Sequence, residues 1–248
     1  MLLLPIFQAT AQEPDASVIM NKSREFSMAG SMSVNINLTI LEKNGTSRSR
    51  TISMTTKSYP EAQEKRFIKF IEPADVRGTA MLIIDNSNSA DEMWIYLPAL
   101  KRTRRIVSSE KSKSFMSSEF SNADMSSPTL TDFTNKHLKG SGKNGKWIIE
   151  SKPINEEKAD EYGYSRKISF LKTEKFQIER MEFYNFDNEL FKIIEIKGIH
   201  SFPDGKYLVK DMTAENLLNK RKSEIIMSKI IEGAKVDDSV FSLQNLEK

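Results

Sequence analysis

From residue 32 the chain alternates strictly. Met32, Val34, Ile36, Leu38 and Ile40 are apolar, and Ser33, Asn35, Asn37 and Thr39 between them are polar. A period of two is the mark of a strand with one buried and one wet face. It excludes a helix, whose apolar positions recur every three or four residues. Asn44-Gly45 follows as a hairpin signal, and Ile52 and Met54 alternate with Thr51, Ser53 and Thr55 on the returning strand. Side chains flip face at every residue, so this register assigns Met32, Val34, Ile36, Leu38, Ile52 and Met54 to one shared apolar surface.

More strands follow at short intervals, over residues 66–71, 79–85, 92–97 and 102–107, with breaks at Pro73, Asn86-Ser87-Asn88-Ser89 and Pro98. Between residues 108 and 127 the pattern collapses: nine of those twenty residues are serine, which reads as a loop with apolar spots at Phe115-Met116 and Phe120. Residues 131–138 read as a short helix closed by Gly140. An earlier helix, over 15–28, is announced by Pro14 and Asp15 and places Ile19, Ser23 and Phe26 on one face. Strands resume over 146–151, 166–171, 176–185, 190–199, 206–212 and 224–231, with Asp187-Asn188 and Pro203-Asp204-Gly205 as turns. No linker or internal repeat divides the chain. The spacing predicts one α+β domain over residues 12–248, mainly antiparallel β, with ten or eleven meandering strands and two or three helices.

Residues 1–11 read as a signal peptide. Leu2-Leu3-Leu4-Pro5-Ile6-Phe7 is an apolar run without a basic flank, Ala9-Thr10-Ala11 is a small-x-small cleavage pattern, and Gln12-Glu13-Pro14-Asp15 resembles a mature start. The expectation is export to the periplasm as a soluble protein. The run is too short to span a bilayer, which takes about 20 apolar residues. The sequence holds no cysteine, which removes disulfides, thiolate metal sites and cysteine nucleophiles. With a net charge of +3 and both signs mixed along the chain, nucleic acid is not an expected partner.

Motifs for chemistry fail on inspection. Gly140-Ser141-Gly142-Lys143-Asn144-Gly145-Lys146 has phosphate-loop spacing, but Trp147 stands where Ser or Thr must reach magnesium, and a strand follows instead of a helix. It reads as a hairpin turn. Asp85-Asn86-Ser87-Asn88-Ser89-Ala90 resembles a calcium loop but has Ala90 at the turn glycine and Tyr96 at the bidentate glutamate. His137 and His200 lack partners at metal-ligand spacing. No enzyme, cofactor or metal is expected. Met81-Leu82-Ile83-Ile84 and Met93-Trp94-Ile95-Tyr96-Leu97 are apolar on both faces, so each strand is either sandwiched between packed layers or lines an apolar cavity with Trp94 and Tyr96. Lys101-Arg102-Thr103-Arg104-Arg105 is either a charged edge strand that blocks sheet aggregation or a docking strip, through Arg102 and Arg104, for an anionic surface.

Three segments carry a resemblance. They are Phe70-Ile71-Glu72-Pro73 with Asp75-Val76-Arg77-Gly78-Thr79-Ala80, then Trp94-Ile95-Tyr96-Leu97-Pro98-Ala99-Leu100-Lys101-Arg102, then the Ser-Phe-Met-Ser-Ser-Glu-Phe-Ser-Asn-Ala-Asp-Met run from Ser114 to Met125. In this order they resemble the LolA-like outer-membrane lipoprotein-sorting proteins. The family's loop pattern places a Gly near Ser117, where this chain departs from it. The resemblance implies an unclosed, strongly curved β half-barrel with helices covering its concave face. It also implies a cavity for the acyl chains of a lipoprotein or lipid in transit to the outer membrane. Expected partners are those acyl chains, an inner-membrane transporter and a transient anionic membrane contact. Phe115, Met116 and Phe120 would meet the chain beneath the loop, alongside the strand residues above. A sixteen-carbon chain leaving a bilayer forfeits roughly 12 kcal/mol, at ~0.8 kcal/mol per methylene, unless a protein cavity replaces the lipid. The second reading is an envelope scaffolding or sensor module with the same fold and a filled interior.

Overall fold

The computed structural model describes residues 13–28, 30–60, 63–86, 91–127 and 129–248. The expected signal peptide and its cleavage site lie outside the described residues. Two antiparallel meanders make up the chain. The first is β1 (Met32–Leu41), β2 (Ser47–Ser58), β3 (Glu64–Glu72), β4 (Ala80–Asp85), β5 (Glu92–Leu97) and β6 (Arg102–Arg105). The second is β7 (Phe133–His137), β8 (Lys146–Pro153), β9 (Arg166–Lys172), β10 (Ile178–Tyr184), β11 (Leu190–Ser201), β12 (Tyr207–Asn216) and β13 (Arg221–Glu232). Pairing of β1 with β13 fuses them into one thirteen-stranded sheet, ordered β6-β5-β4-β3-β2-β1-β13-β12-β11-β10-β9-β8-β7. No ladder joins β6 to β7 among the described residues, so the curved sheet stays unclosed.

Curvature has a local cause. The register shifts between Ser33 and Asn35 on β1, between Thr51 and Ile52 on β2, and twice around Gly198 on β11. Each such bulge bends its strand and adds right-handed twist. The alternation read from the sequence holds on β1, where Met32, Val34, Ile36, Leu38 and Ile40 are all buried. At the β1–β2 turn only Gly45 takes a positive φ (84°), and Asn44 Oδ1 accepts from the Thr46 N–H at 3.0 Å.

The helices are α1 (Ala16–Ser27), α2 (Ser108–Lys111), α3 (Glu156–Tyr162) and α4 (Leu243–Leu246). Asp15 caps α1 by accepting from the Ser17 N–H at 2.8 Å. The helix expected over 131–138 is instead a 3-10 turn, Leu130–Asp132, followed by strand β7. Its burial alternates, with Phe133, Asn135 and His137 the less exposed positions, and five ladder positions pair it with β8. That pairing overrides the weak local helix signal. The loop expected over 108–127 is built rather than irregular. It contains α2, two 3-10 turns and an isolated bridge between Ser114 and Ser121. Met116 and Ser117 sit there at φ 50° and 64°, so the position where the family pattern places a Gly has the left-handed backbone that favours one. The Gly140–Lys146 stretch is a hairpin turn between β7 and β8, as its spacing suggests. His137 contacts Ser141 Oγ (2.7 Å) and the Pro14 carbonyl (2.8 Å), and His200 contacts Glu232 (2.5 Å).

Candidate functional site: an apolar cavity under a pinned cover

The inward residues of β1, β2, β3 and β13 share one apolar cluster with Phe115, Phe120 and Ala123 of the 108–127 segment, which forms the cover of the sheet. Between them lies a cavity of about 270 Å³, lined by Met32, Ile36, Ile52, Met54, Ile68, Ile225 and Met227, with Phe115 and Met125 above and the charged Glu64, Arg66 and Asp124 also in its wall. A second lobe of about 240 Å³ lies between α1, the cover and the second meander, lined by Met20, Phe120, Met181, Phe183, Ile194 and Ile196. Val209 and Met212 on β12 border both, as do Asp124 and Ser126 of the cover. Each lobe alone is just short of the ~300 Å³ at which ligand pockets begin, and the shared border residues set the two side by side. Methionines recur along the walls, and their unbranched, polarizable side chains adapt to irregular apolar partners.

Of the sequence-predicted residues, Met32, Ile36, Ile52, Met54 and Phe115 border the first lobe and Phe120 the second. Val34 and Leu38 are buried in the same core cluster. Met116 packs partly buried against it, and its carbonyl accepts from the Arg50 guanidinium. Trp94 and Tyr96 are a correction. They lie on the outer face of the sheet, packed with Phe67, Ala80 and Leu82 beneath Phe241 and Leu246 of the C-terminal segment. The inner positions of β5 belong to Met93 and Ile95, because the covered strand offers apolar residues to both faces and only register decides between them. The strip residues Arg102 and Arg104 are exposed on edge strand β6, and Arg104 pairs with Glu110 at 2.7 Å.

The cover is held by basic side chains from four strands of the sheet. Arg50 of β2 reaches the Met116 carbonyl. Arg221 of β13 donates to the Ser117 carbonyl (2.8 Å) and pairs with Glu119 (2.9 Å). Lys192 of β11 pairs with Asp124 (2.7 Å). Arg66 of β3 donates to the Met125 carbonyl (2.8 Å) and to Ser127 Oγ (3.0 Å). At the far side a buried pair, Lys111–Glu161 (2.6 Å), ties α2 to α3, while Lys158 bridges Glu161 and Asp132, each at 3.0 Å.

Beneath the Arg66 pin lies a carboxylate group. Arg66 contacts Glu64 and pairs with Asp85 at 2.9 Å, and Asp85 also accepts from the Ser127 N–H at 3.1 Å. Burial pulls the guanidinium's pKa down, but Asp85 and Glu64 outweigh it and hold the group charged. Burial raises the Asp85 carboxyl. Asp91 is pushed up to about 6, first by burial and then by the neighbouring Asp85 charge. An acid whose folded pKa is raised adds stability below its unfolded value of about 3.9 and loses it as pH climbs through 6. Asp91→Asn is therefore expected to be more stable than the parent by about 2 kcal/mol at pH 7.5 and to show no advantage at pH 4. Urea midpoints at the two pH values check this, and an equal difference at both would refute it.

An unclosed antiparallel sheet wrapped around an apolar cavity, with a cover across its concave face, is the LolA-like half-barrel. Solved structures share it over nearly their full length. A domain described as outer membrane lipoprotein-sorting, from Vibrio parahaemolyticus, superposes with a TM-score of 0.85 at 24% identity, over 94% of this chain and 98% of that one. A DUF1329 family protein from Desulfovibrio piger gives 0.83 at 24% identity, over 93% and 97%. A LolA superfamily protein from Nitrosomonas europaea gives 0.72 at 17% identity, over 94% and 99%. At these identities the likeness concerns the fold. A family model described as "-like: Uncharacterized protein" matches residues 62–248, and the chain belongs to that family. No curated protein matches the chain by sequence.

Proposed function

We propose that this protein is a periplasmic carrier that shelters the acyl chains of a lipoprotein or lipid in transit to the outer membrane. The observation that carries the reading is the two-lobed cavity: apolar walls from both meanders, bordered by β12, beneath a cover held by polar contacts. A core serving only stability would be packed to near-crystalline density. The fold shared with lipoprotein-sorting domains supports the same reading. Among the described residues no helix is long and apolar enough to cross a membrane. An inner-membrane transporter remains the expected donor. The docking role narrows to Arg102, since Glu110 engages Arg104.

Native mass spectrometry of gently purified protein tests the proposal. The expected spectrum contains adducts of lipid mass that disappear on organic extraction. A single bare mass from an unextracted preparation would favour the scaffolding reading with a filled interior.

A further inference from the structure

Within the second lobe one feature does not suit a neutral hydrocarbon. The charged residues that line it are Arg24, Asp124 and Lys167. Asp124 is committed elsewhere: its carboxylate pairs with Lys192 at 2.7 Å and accepts from the Ser121 N–H, also at 2.7 Å. Lys167 is only 7% exposed and, among the described residues, has no carboxylate within ion-pair distance. Its direct contact is the Phe133 ring, 5.6 Å from the ammonium.

Register explains the placement. Lys167 on β9, Phe183 on β10 and Lys192 on β11 are successive cross-strand partners, so all three side chains point to the inside of the sheet. The two lysines flank Phe183, and Lys192 lies 4.3 Å from its ring centre. Lys167 and Lys192 therefore have one carboxylate, Asp124, near them, and Lys192 pairs with it directly, so the Lys167 charge faces largely apolar walls. Desolvation disfavours such a charge, and it draws the Lys167 ammonium down to about 8, against the opposing pull of Asp124. A lysine serving only as packing would be better replaced by Met or Leu, which fill the same space without that cost.

We propose that Lys167 is the head-group site of the cavity, and that the ligand is a long-chain amphiphile with a compact anionic head, carboxylate or phosphate, whose tail lies along the apolar lobes. This rests on the carrier reading and specifies its substrate class. An ammonium in an apolar wall gains most from an anion that arrives already attached to hydrocarbon, because the charge-assisted bond forms away from water.

Displacement of an uncharged naphthylamine dye by palmitate, hexadecyl phosphate and hexadecanol tests the assignment on the full protein and on Lys167→Met. The parent is expected to bind at least one of the two anionic probes about tenfold or more tightly than hexadecanol. Which of the two binds better separates a carboxylate from a phosphate head. Lys167→Met is expected to lose that preference while hexadecanol displaces the dye as before, which also reports an intact cavity. Equal affinity of the parent for all three probes would overturn the head-group assignment and leave the carrier standing, as would a preference that survives in Lys167→Met. Failure of every probe to displace bound dye would overturn both.

Discussion

An Arg66→Met variant is expected to unfold about 3–5 kcal/mol more easily than the parent, because it strands two buried carboxylates. Arg66 meets Glu64 and Asp85, both nearly inaccessible to solvent, and the same guanidinium holds Met125 and Ser127 of the cover. Removing it costs the desolvation already incurred by Asp85 without the attraction that offsets it. Two further outcomes mark the mechanism. Adding Asp85→Asn to Arg66→Met is expected to recover a large part of the loss, since the uncompensated charge goes with it. The defect of the single variant should also shrink as pH falls toward 4, because an unpaired buried Asp85 binds a proton more tightly in the folded chain than in the unfolded one. Urea unfolding of the four chains of the cycle at neutral and acid pH checks all three. Additive effects of the two substitutions would contradict the account.

Much of this architecture is legible in the residues. The Met32–Ile40 alternation defines β1 and its buried face, and Met32, Ile36, Ile52 and Met54 do border the first lobe. Where both faces of a strand are apolar, the sequence offers no such guide. Trp94 and Met93 are both hydrophobic, and the residues that cover Trp94 from outside, Phe241 and Leu246, lie about 150 residues further along the chain. Residues 131–138 mislead because a strand's pairing energy comes from a partner the local window does not contain. Helix α3 could have been found: Asn155 precedes Glu156 and Glu157, its side chain accepts from the Lys158 N–H at 2.8 Å, and Gly163 follows at φ 79°. The Ser-rich 108–127 segment reads as a loop because its order derives from Arg50, Arg66, Lys192 and Arg221, basic residues that look like surface charges until the sheet curls them inward. The second lobe and Lys167 are invisible for the same reason.

Met212 is where the carrier reading is most exposed to experiment. It stands on β12 at the border of both lobes, so Met212→Trp should fill the passage and block an extended chain while adding apolar contact to the walls. Overpacking costs typically about 1–3 kcal/mol, so the variant is expected to remain folded. The decisive measurement is extraction: protein is mixed with vesicles carrying a fluorescent acyl lipid, the vesicles are sedimented, and lipid remaining with the protein is counted. Close to one lipid per parent molecule is expected, with at least a tenfold loss in folded Met212→Trp, which corresponds to about 1.4 kcal/mol or more of binding. Parent protein that leaves all the lipid in the pellet, or Met212→Trp that extracts as much as the parent, would contradict the carrier reading.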